Sequence, residues 1–315
     1  MQWFAQAPSN IALIKYMGKI DSEKNIPLND SLSYTLNNLV SCVSLETPGS
    51  SHDVWEPLDI PGYKPFSLST QGQKRYLEHL ARLKEHFNYS GTFIVRSSNN
   101  FPQASGLASS ASSFAALTKC AVQALCELTK RPLLSTEEQA QWSRLGSGSS
   151  CRSFYSPWAL WSGENVYAIE LPYTTLLHQS IIIDSAEKGI PSSEAHLRIR
   201  TSPFYDGRLQ QASQHLKLLL AALKAKDWES AYQICWNEFQ NMHALFTSCS
   251  QPFTYFTPRT EEVLMLIQDL WVRKKDGPIV TMDAGPNIHL LYRPDQVNLM
   301  RQFTQDHIVG NYDVI

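Results

Sequence analysis

Asp283 ends the stretch PIVTMD (residues 278–283) and stands before Ala284-Gly285-Pro286-Asn287. An isolated aspartate in that place reads first as a turn cap, bonding local backbone through its side chain. Its other reading is a general base, or a group that orients a substrate hydroxyl. Arg152 follows Gly146-Ser147-Gly148-Ser149-Ser150-Cys151. Flexible residues with hydroxyls and free N–H groups can form an anion nest, and a guanidinium fork suits a carboxylate or phosphate. A plain Gly/Ser connector carrying a surface arginine is the competing reading. Residues 99–119 read NNFPQASGLASSASSFAALTK. There a turn with Pro102 hands over to a run of small and apolar residues. The N–H groups that open a helix have no intrahelical partner, and the dipole adds positive potential. Gly106 and its small neighbours would let a phosphate approach that backbone. No Gly-Lys-Ser/Thr closes the loop, so this is not a Walker signature. Without a ligand the same residues make a serine-capped packing helix, with Ser109 or Ser110 as the cap. Lys15, Tyr16 and Lys19 follow the apolar run Ile11-Ala12-Leu13-Ile14. They would suit an anion, but taken alone they read as a strand end with solvated lysines.

These groups need a scaffold, and the pattern of the chain supplies one. Strands are expected at 3–7, 91–97, 158–161, 166–170 and 179–184. The Leu32/Tyr34/Leu36 and Cys42/Ser44 alternations predict two antiparallel strands joined by a polar turn at Asn37-Asn38. Residues 48–65, rich in Pro, Gly and Ser, read as loop. Tyr76, Leu77, Leu80, Leu83 and Phe87 space a helix over 71–87. The helix that starts near Ala111 is apolar on most sides and should be central. Ser135 before Glu137-Glu138 marks another helix start. After residue 178 come helices at 208–224, 228–249 and 260–273. A strand at 278–283, a tight turn, a returning strand at 288–292 and a last helix near 295–307 complete the chain. The second half is therefore an antiparallel sheet with helices on one face, and the whole chain is α+β with domains at 1–177 and 178–315.

The 315 residues suffice for one large or two ordinary domains. A 43% hydrophobic and 18% charged composition fits a soluble protein with a real core. A formal net charge of -2 gives no reason to expect nucleic acid or an anionic membrane, so positive charge for a polyanion must be local. Six cysteines without CxxC spacing read as reduced thiols. No basic-then-apolar leader and no 18-residue apolar run is seen. The nine histidines lack metal-ligand spacing and there is no GxSxG elbow, which leaves zinc-enzyme and hydrolase readings unsupported.

Together the segments APSNIALIKYMGK, IPLNDSLSYTL, NNFPQASGLASSASSFAAL, GSGSSCRSFY, TSPFY and MDAGPN resemble the diphosphomevalonate decarboxylases of the GHMP kinase superfamily, in order and spacing. The resemblance implies an N-terminal domain like ribosomal protein S5 domain 2, a ferredoxin-like C-terminal α/β sandwich, and an active site in the cleft between them. It implies ATP and Mg²⁺, and conversion of 5-diphosphomevalonate to isopentenyl diphosphate through phosphorylation of the tertiary 3-hydroxyl. By motif position, Gly106, Leu107, Ala108, Ser109, Ser110 and Lys188 would hold ATP, with Ser110 next to the metal. Asp283 would take or orient the hydroxyl proton, and Arg152 would bind the substrate carboxylate. Tyr16, Lys19, Ser147 and Ser149 would meet the diphosphate end. Ser202, in TSPFY, is a further substrate-motif residue. A cytoplasmic homodimer is implied as well, with no nucleic-acid or membrane partner. The chain departs from the family pattern at Met17 for the usual tryptophan and at Ser156-Pro157 for two glycines. It also has Lys188-Gly189 for paired lysines and Ala195-His196 for Gly-Met. These changes lie near substrate-facing motifs. A 5-phosphomevalonate decarboxylase, a mevalonate 3-kinase-like relative and a nucleotide-binding pseudoenzyme are the alternatives.

Overall fold

The computed structural model describes residues 1–47, 51–63, 67–101, 109–184 and 189–315. Strand β1 (Gln2–Ile14) opens the chain, and β2 (Lys19–Asp21) and β3 (Ile26–Pro27) form a small ribbon behind it. Strand β4 (Ser31–Glu46) runs antiparallel to β1, with Gln2 opposite Glu46 and Ile14 opposite Leu32. The turn expected at Asn37-Asn38 is instead part of this one long strand. The register slips between Pro8 and Ser9, whose partners are Val40 and Leu36, so both asparagines sit exposed on a bulge while Leu39 is buried. Pro8 has no N–H to give the ladder, which favours a break there. Both halves of β4 also find further partners, which keeps the strand continuous.

Residues 54–57, expected in a loop, form β5 (Val54–Pro57), parallel to a later strand. Helix α1 (Thr70–His86) is capped by Ser69, whose side chain accepts from Gly72 N–H. Strand β6 (Ile94–Asn99) leads toward helix α2 (Ser109–Thr129). The run of Ala, Leu and Cys in α2 has no Gly or Pro, so helix propensity and burial agree. It is buried on nearly all sides, and its small residues let it lie close to the sheet. Helix α3 (Thr136–Gly146) starts at Ser135 with a reciprocal capping box to Glu138. A 3-10 helix over Gly148–Phe154 follows, then β7 (Trp158–Ser162) and β8 (Asn165–Ala168). The first sheet has the order β5-β6-β4-β7-β8, with β1 paired to β4.

A second sheet is built from β9 (Leu177–Ile182) and strands near the C-terminus. Between them come α4 (Ser192–Arg198), α5 (Tyr205–Ala225), α6 (Trp228–Ser248) and α7 (Pro258–Lys274). Then follow β10 (Ile279–Met282), β11 (Ile288–Tyr292), α8 (Val297–Phe303) and β12 (Asp313–Val314), in the antiparallel order β10-β11-β9-β12. Sequence periodicity had no signal for α4 or β12, which are short. The expected last helix is a composite of a 3-10 turn, α8 and a π-helical turn over Thr304–Ile308. The result is a mixed α/β fold.

One apolar cluster joins Ile11, Leu13 and Trp158 of the first sheet to Leu219, Phe239 and Ile288 of the second layer. Full burial of each such side chain contributes about 1.5–3 kcal/mol. Thr281 Oγ1 also donates to the Ala12 carbonyl at 3.1 Å. These contacts bring the end of β1 against the end of β10, and so bring Lys15 to Asp283. All six cysteines are buried free thiols. Among the described residues, no helix is long and apolar enough to cross a membrane.

Candidate active site

A cavity of about 290 Å³ opens where β1, α2, the Gly148–Phe154 turn and α4 converge. Lys15, Tyr16, Lys19, Arg75, Ser109, Ser110, Ser147, Ser149, Arg152, His196 and Asp283 all face it. Asp283 is its one acid among the described residues, against two lysines and two arginines. The positive charge that a near-neutral chain must concentrate for a polyanion is therefore here.

The candidate reacting centre is a set of groups held by strand ends. Lys15 Nζ donates to Asp283 Oδ1 at 2.8 Å, with the lysine 1% and the aspartate 30% exposed. The Asp283 carboxylate thus reaches across to β1 rather than back to its own turn. That turn is closed by main-chain groups, since Gly285 N–H donates to the Asp283 carbonyl at 2.8 Å. His243 Nε2–H donates to the same carbonyl at 3.1 Å. Burial works to raise the Asp283 pKa, but Lys15, His289 and Arg152 together hold it below the ordinary carboxylate value. Burial lowers that of Lys15, with Asp283 opposing the shift. Asp283 is therefore ionised at neutral pH, and its Oδ2 has no protein hydrogen bond among the described residues.

Arg152 is buried, 4% exposed, and oriented from two sides. Its Nε donates to Asn10 Oδ1 at 3.0 Å and its Nη1 to Ser31 Oγ at 2.8 Å. Asn10 is itself held, donating to Ser153 Oγ at 2.8 Å and to the Ser149 carbonyl at 3.2 Å. The remaining Nη2 edge has no protein partner among the described residues, which leaves a pre-aimed donor.

At the other end Tyr16 packs at a tilt between Trp161 (4.6 Å) and His196 (4.7 Å), and its buried hydroxyl has no partner among the described residues. A Cβ on Gly148 would lie 2.8 Å from that oxygen, so only glycine permits this approach. Lys19 Nζ donates to Asn25 Oδ1 at 2.6 Å. Burial, Arg75 and Arg200 each press the Lys19 pKa down, a sign of crowded positive charge. Ser109 and Ser110 open α2 at the cavity wall, and Ser147 Oγ lies 3.4 Å from Ser110 Oγ. Arg75 of α1 lines this cavity and both neighbouring clefts.

The geometry thus brings together Tyr16, Lys19, Ser109, Ser110, Ser147, Ser149, Arg152 and Asp283. It does not bring Ser202, whose Oγ accepts from Phe204 N–H at 3.1 Å and meets Ser248 Oγ at 2.7 Å away from the cavity. Gly106, Leu107, Ala108 and Lys188 lie outside the described residues. Lys15, expected to be solvated, is the main correction. Burial and the ion pair follow from the docking of β1 on β10. The signal was a lysine placed directly after four apolar residues. Asn10 and Ser31 lie inside the quoted motif segments but were given no role, and Arg75 carried no signal.

The N-terminal part, residues 7–168, matches a family model described as a diphosphomevalonate decarboxylase-like N-terminal domain. Residues 180–313 match a mevalonate 5-diphosphate decarboxylase C-terminal domain. A diphosphomevalonate decarboxylase of Aspergillus fumigatus is 32% identical over 91% of this chain and 75% of its own. A crystal structure of a mevalonate diphosphate decarboxylase from Legionella pneumophila is 63% identical, with a TM-score of 0.94 over the full length of both chains. A structure of MDDEF in complex with MVAPP, AMPPCP and magnesium is 28% identical, with a TM-score of 0.88 over 100% of this chain and 96% of that one. The chain belongs to the diphosphomevalonate decarboxylase family.

Proposed function

We propose that this chain catalyses the ATP-dependent decarboxylation of 5-diphosphomevalonate to isopentenyl diphosphate, ADP, phosphate and CO₂. The observation that carries the reading is the Lys15–Asp283 pair facing Arg152 within one cation-rich cavity. A tertiary hydroxide is a poor leaving group, and its phosphate ester is a good one. Asp283 Oδ2 orients the 3-hydroxyl and takes its proton as the phosphoryl group arrives; Lys15 keeps the carboxylate ionised. Arg152 Nη2 holds the substrate carboxylate. When the 3-phosphate leaves, the carbon that bore it becomes electron-poor. The C–C bond electrons then form the double bond, and CO₂ departs. Catalysis is mostly positioning and preorganised charge.

Tyr16, Lys19, Ser147 and Ser149 take the diphosphate end. Ser109 and Ser110, with Gly106, Leu107, Ala108 and Lys188, take the ATP phosphates. The support is a 21-residue helix N-terminus at the cavity wall. Magnesium, when bound, neutralises charge on the transferring phosphoryl group. The Ser110 hydroxyl at the cavity wall could supply one oxygen ligand beside substrate phosphates and waters, which Mg²⁺ commonly keeps. Ser202 belongs to a substrate motif, but its hydroxyl is used in local bonds, so it is left out of the substrate contacts.

We assign the N-terminal part, 1–177, to the S5 domain 2-like GHMP domain and 178–315 to the ferredoxin-like one. The two sheets and the cavity where the elements meet support this division. A cytoplasmic homodimer rests on family resemblance. The test is ADP and CO₂ release with ATP and magnesium, comparing 5-diphosphomevalonate, 5-phosphomevalonate and mevalonate. One ADP per CO₂, with strong preference for the diphosphate, is expected. Preference for the monophosphate, or ADP without CO₂, would overturn the reading.

A further inference from the structure

His196 stands where the family pattern has methionine, and its ring lines the cavity from α4. Gly18 N–H donates to its Nδ1 at 2.9 Å. A nitrogen that accepts a hydrogen bond carries no proton, so the neutral ring must hold its proton on Nε2. Burial, Lys19 and Arg200 push the His196 pKa down to about 3, which keeps the ring neutral at working pH. Gly18 holds φ +102°, a conformation that suits glycine, so the backbone that presents this N–H is itself set. Among the described residues Nε2 has no protein hydrogen bond, and its ring lines the cavity. It is therefore a donor of fixed tautomer with no protein acceptor among the described residues.

Its surroundings say what would fill the gap. The ring centroid lies 4.7 Å from that of Tyr16, whose buried hydroxyl also lacks a partner among the described residues. Lys19 lines the same cavity and Arg200 is near enough to act on the ring's charge. Each of these groups can donate, and two of them, Lys19 and Arg200, are cations with no acceptor of their own. An oxygen-rich anion both accepts from such a set and matches the positive charge of Lys19 and Arg200, which a neutral group does not match. Methionine at this position could only pack.

We propose that His196 is a specificity-setting residue whose Nε2–H donates to a phosphate oxygen at the diphosphate end of the substrate, beside Tyr16 and Lys19. The identity of that substrate rests on the function proposed above.

Three variants separate contact from scaffolding. In His196→Asn the amide oxygen can still accept from Gly18, but no donor reaches the cavity. In His196→Gln the amide nitrogen can reach the Nε2 position, but the Gly18 acceptor is lost. His196→Met restores the family residue. Steady-state kinetics with each substrate varied, and calorimetric binding of 5-diphosphomevalonate without ATP, give the readout. The Asn and Met variants should raise KM and Kd for 5-diphosphomevalonate about tenfold or more, as expected for loss of a hydrogen bond to a charged group. KM for ATP should stay within about twofold and Gln should stay within about threefold of wild type, on the same scale. The penalty should vanish for mevalonate, which lacks the phosphate end.

A Gln variant as impaired as Met, with a normal Asn variant, would reduce His196 to a support for Gly18. A rise in KM for ATP in place of the substrate would assign the donor to the nucleotide. Unchanged substrate binding in all three, or an equal penalty with mevalonate, would also overturn the role. A wild-type enzyme that releases no CO₂ from 5-diphosphomevalonate would instead fail the functional reading, and the His196 role with it.

Discussion

Lys15 lies between two clusters of buried charge that differ in what they leave open. On one side its main chain meets Glu238 and Arg208, both fully buried. Glu238 Oε1 accepts from Lys15 N–H at 2.9 Å and from Arg208 Nη2; Oε2 accepts from Arg208 Nη1 at 3.1 Å and meets His215 Nδ1 at 2.6 Å. Arg208 Nη2 also donates to the Lys15 carbonyl at 3.1 Å. On the other side the Lys15 side chain meets Asp283, which keeps one oxygen toward the cavity. The first cluster spends its carboxylate on the protein, and the second does not. Buried charge is therefore a poor marker of a site by itself. A partly unspent charge in a cavity is the better one.

The largest effect expected from this contrast is in Asp283→Asn. It should lower kcat by about 10²–10⁴-fold, the scale for a positioned acid–base group, with nucleotide binding and melting temperature little changed. Near-normal turnover would erase the distinction between the clusters. Glu238→Ala should do the opposite. It leaves Arg208 buried and unpaired, and should cost about 3–5 kcal/mol in denaturant unfolding.

The pH dependence sharpens the same point. Burial works to raise the Glu238 pKa, but Arg208, His215 and the Lys15 N–H outweigh it and hold the value at about 2, against an ordinary 4.5. A depressed carboxylate stabilises the fold above its unfolded pKa, and that contribution fades as pH falls from 4.5 through about 2. Wild-type stability should drop steeply across that window, and the drop should be shallower in Glu238→Ala. Equal slopes in an acid titration followed by circular dichroism would count against the cluster.

Next in size is Arg152→Lys. A point charge cannot use Asn10, Ser31 and the cavity at once, so kcat/KM should fall about 10²-fold, with the scale of a lost preorganised donor. Activity within a few-fold of wild type would mean the fork geometry is unused. The smallest change is Ser202→Ala. Loss of its local bonds to Phe204 and Ser248 should cost about 0.5–1.5 kcal/mol of stability and leave substrate KM unchanged. A clear rise in KM would return Ser202 to the site.

Much of this was legible in the residues. The capping box at Ser135 and the all-round apolar pattern of α2 follow from backbone preferences acting over a few positions. The motif residues Tyr16, Lys19, Ser110, Ser147, Ser149, Arg152 and Asp283 were named from the chain alone, and they line one cavity. The Asn37-Asn38 bulge was not legible, because a polar pair reads as a turn unless a neighbouring strand spans it. Ser202 was marked by its motif, but its hydroxyl is used locally.

By itself the sequence determined the helices with strong local signals, the family, and the roster of groups able to handle phosphate and a carboxylate. Periodicity, caps and motif order are written in neighbouring residues. Only the tertiary structure decided which charges meet and which atoms remain unspent. Lys15 and Asp283 are 268 positions apart, and Arg152 and Asn10 are 142. Their pairing depends on how β1 docks against β10 and the Gly148–Phe154 turn, through Thr281 on Ala12 and an apolar cluster that spans both layers. The same docking buries Lys15, sets the tautomer of His196 through Gly18, and turns a scattered set of side chains into one cation-rich cavity.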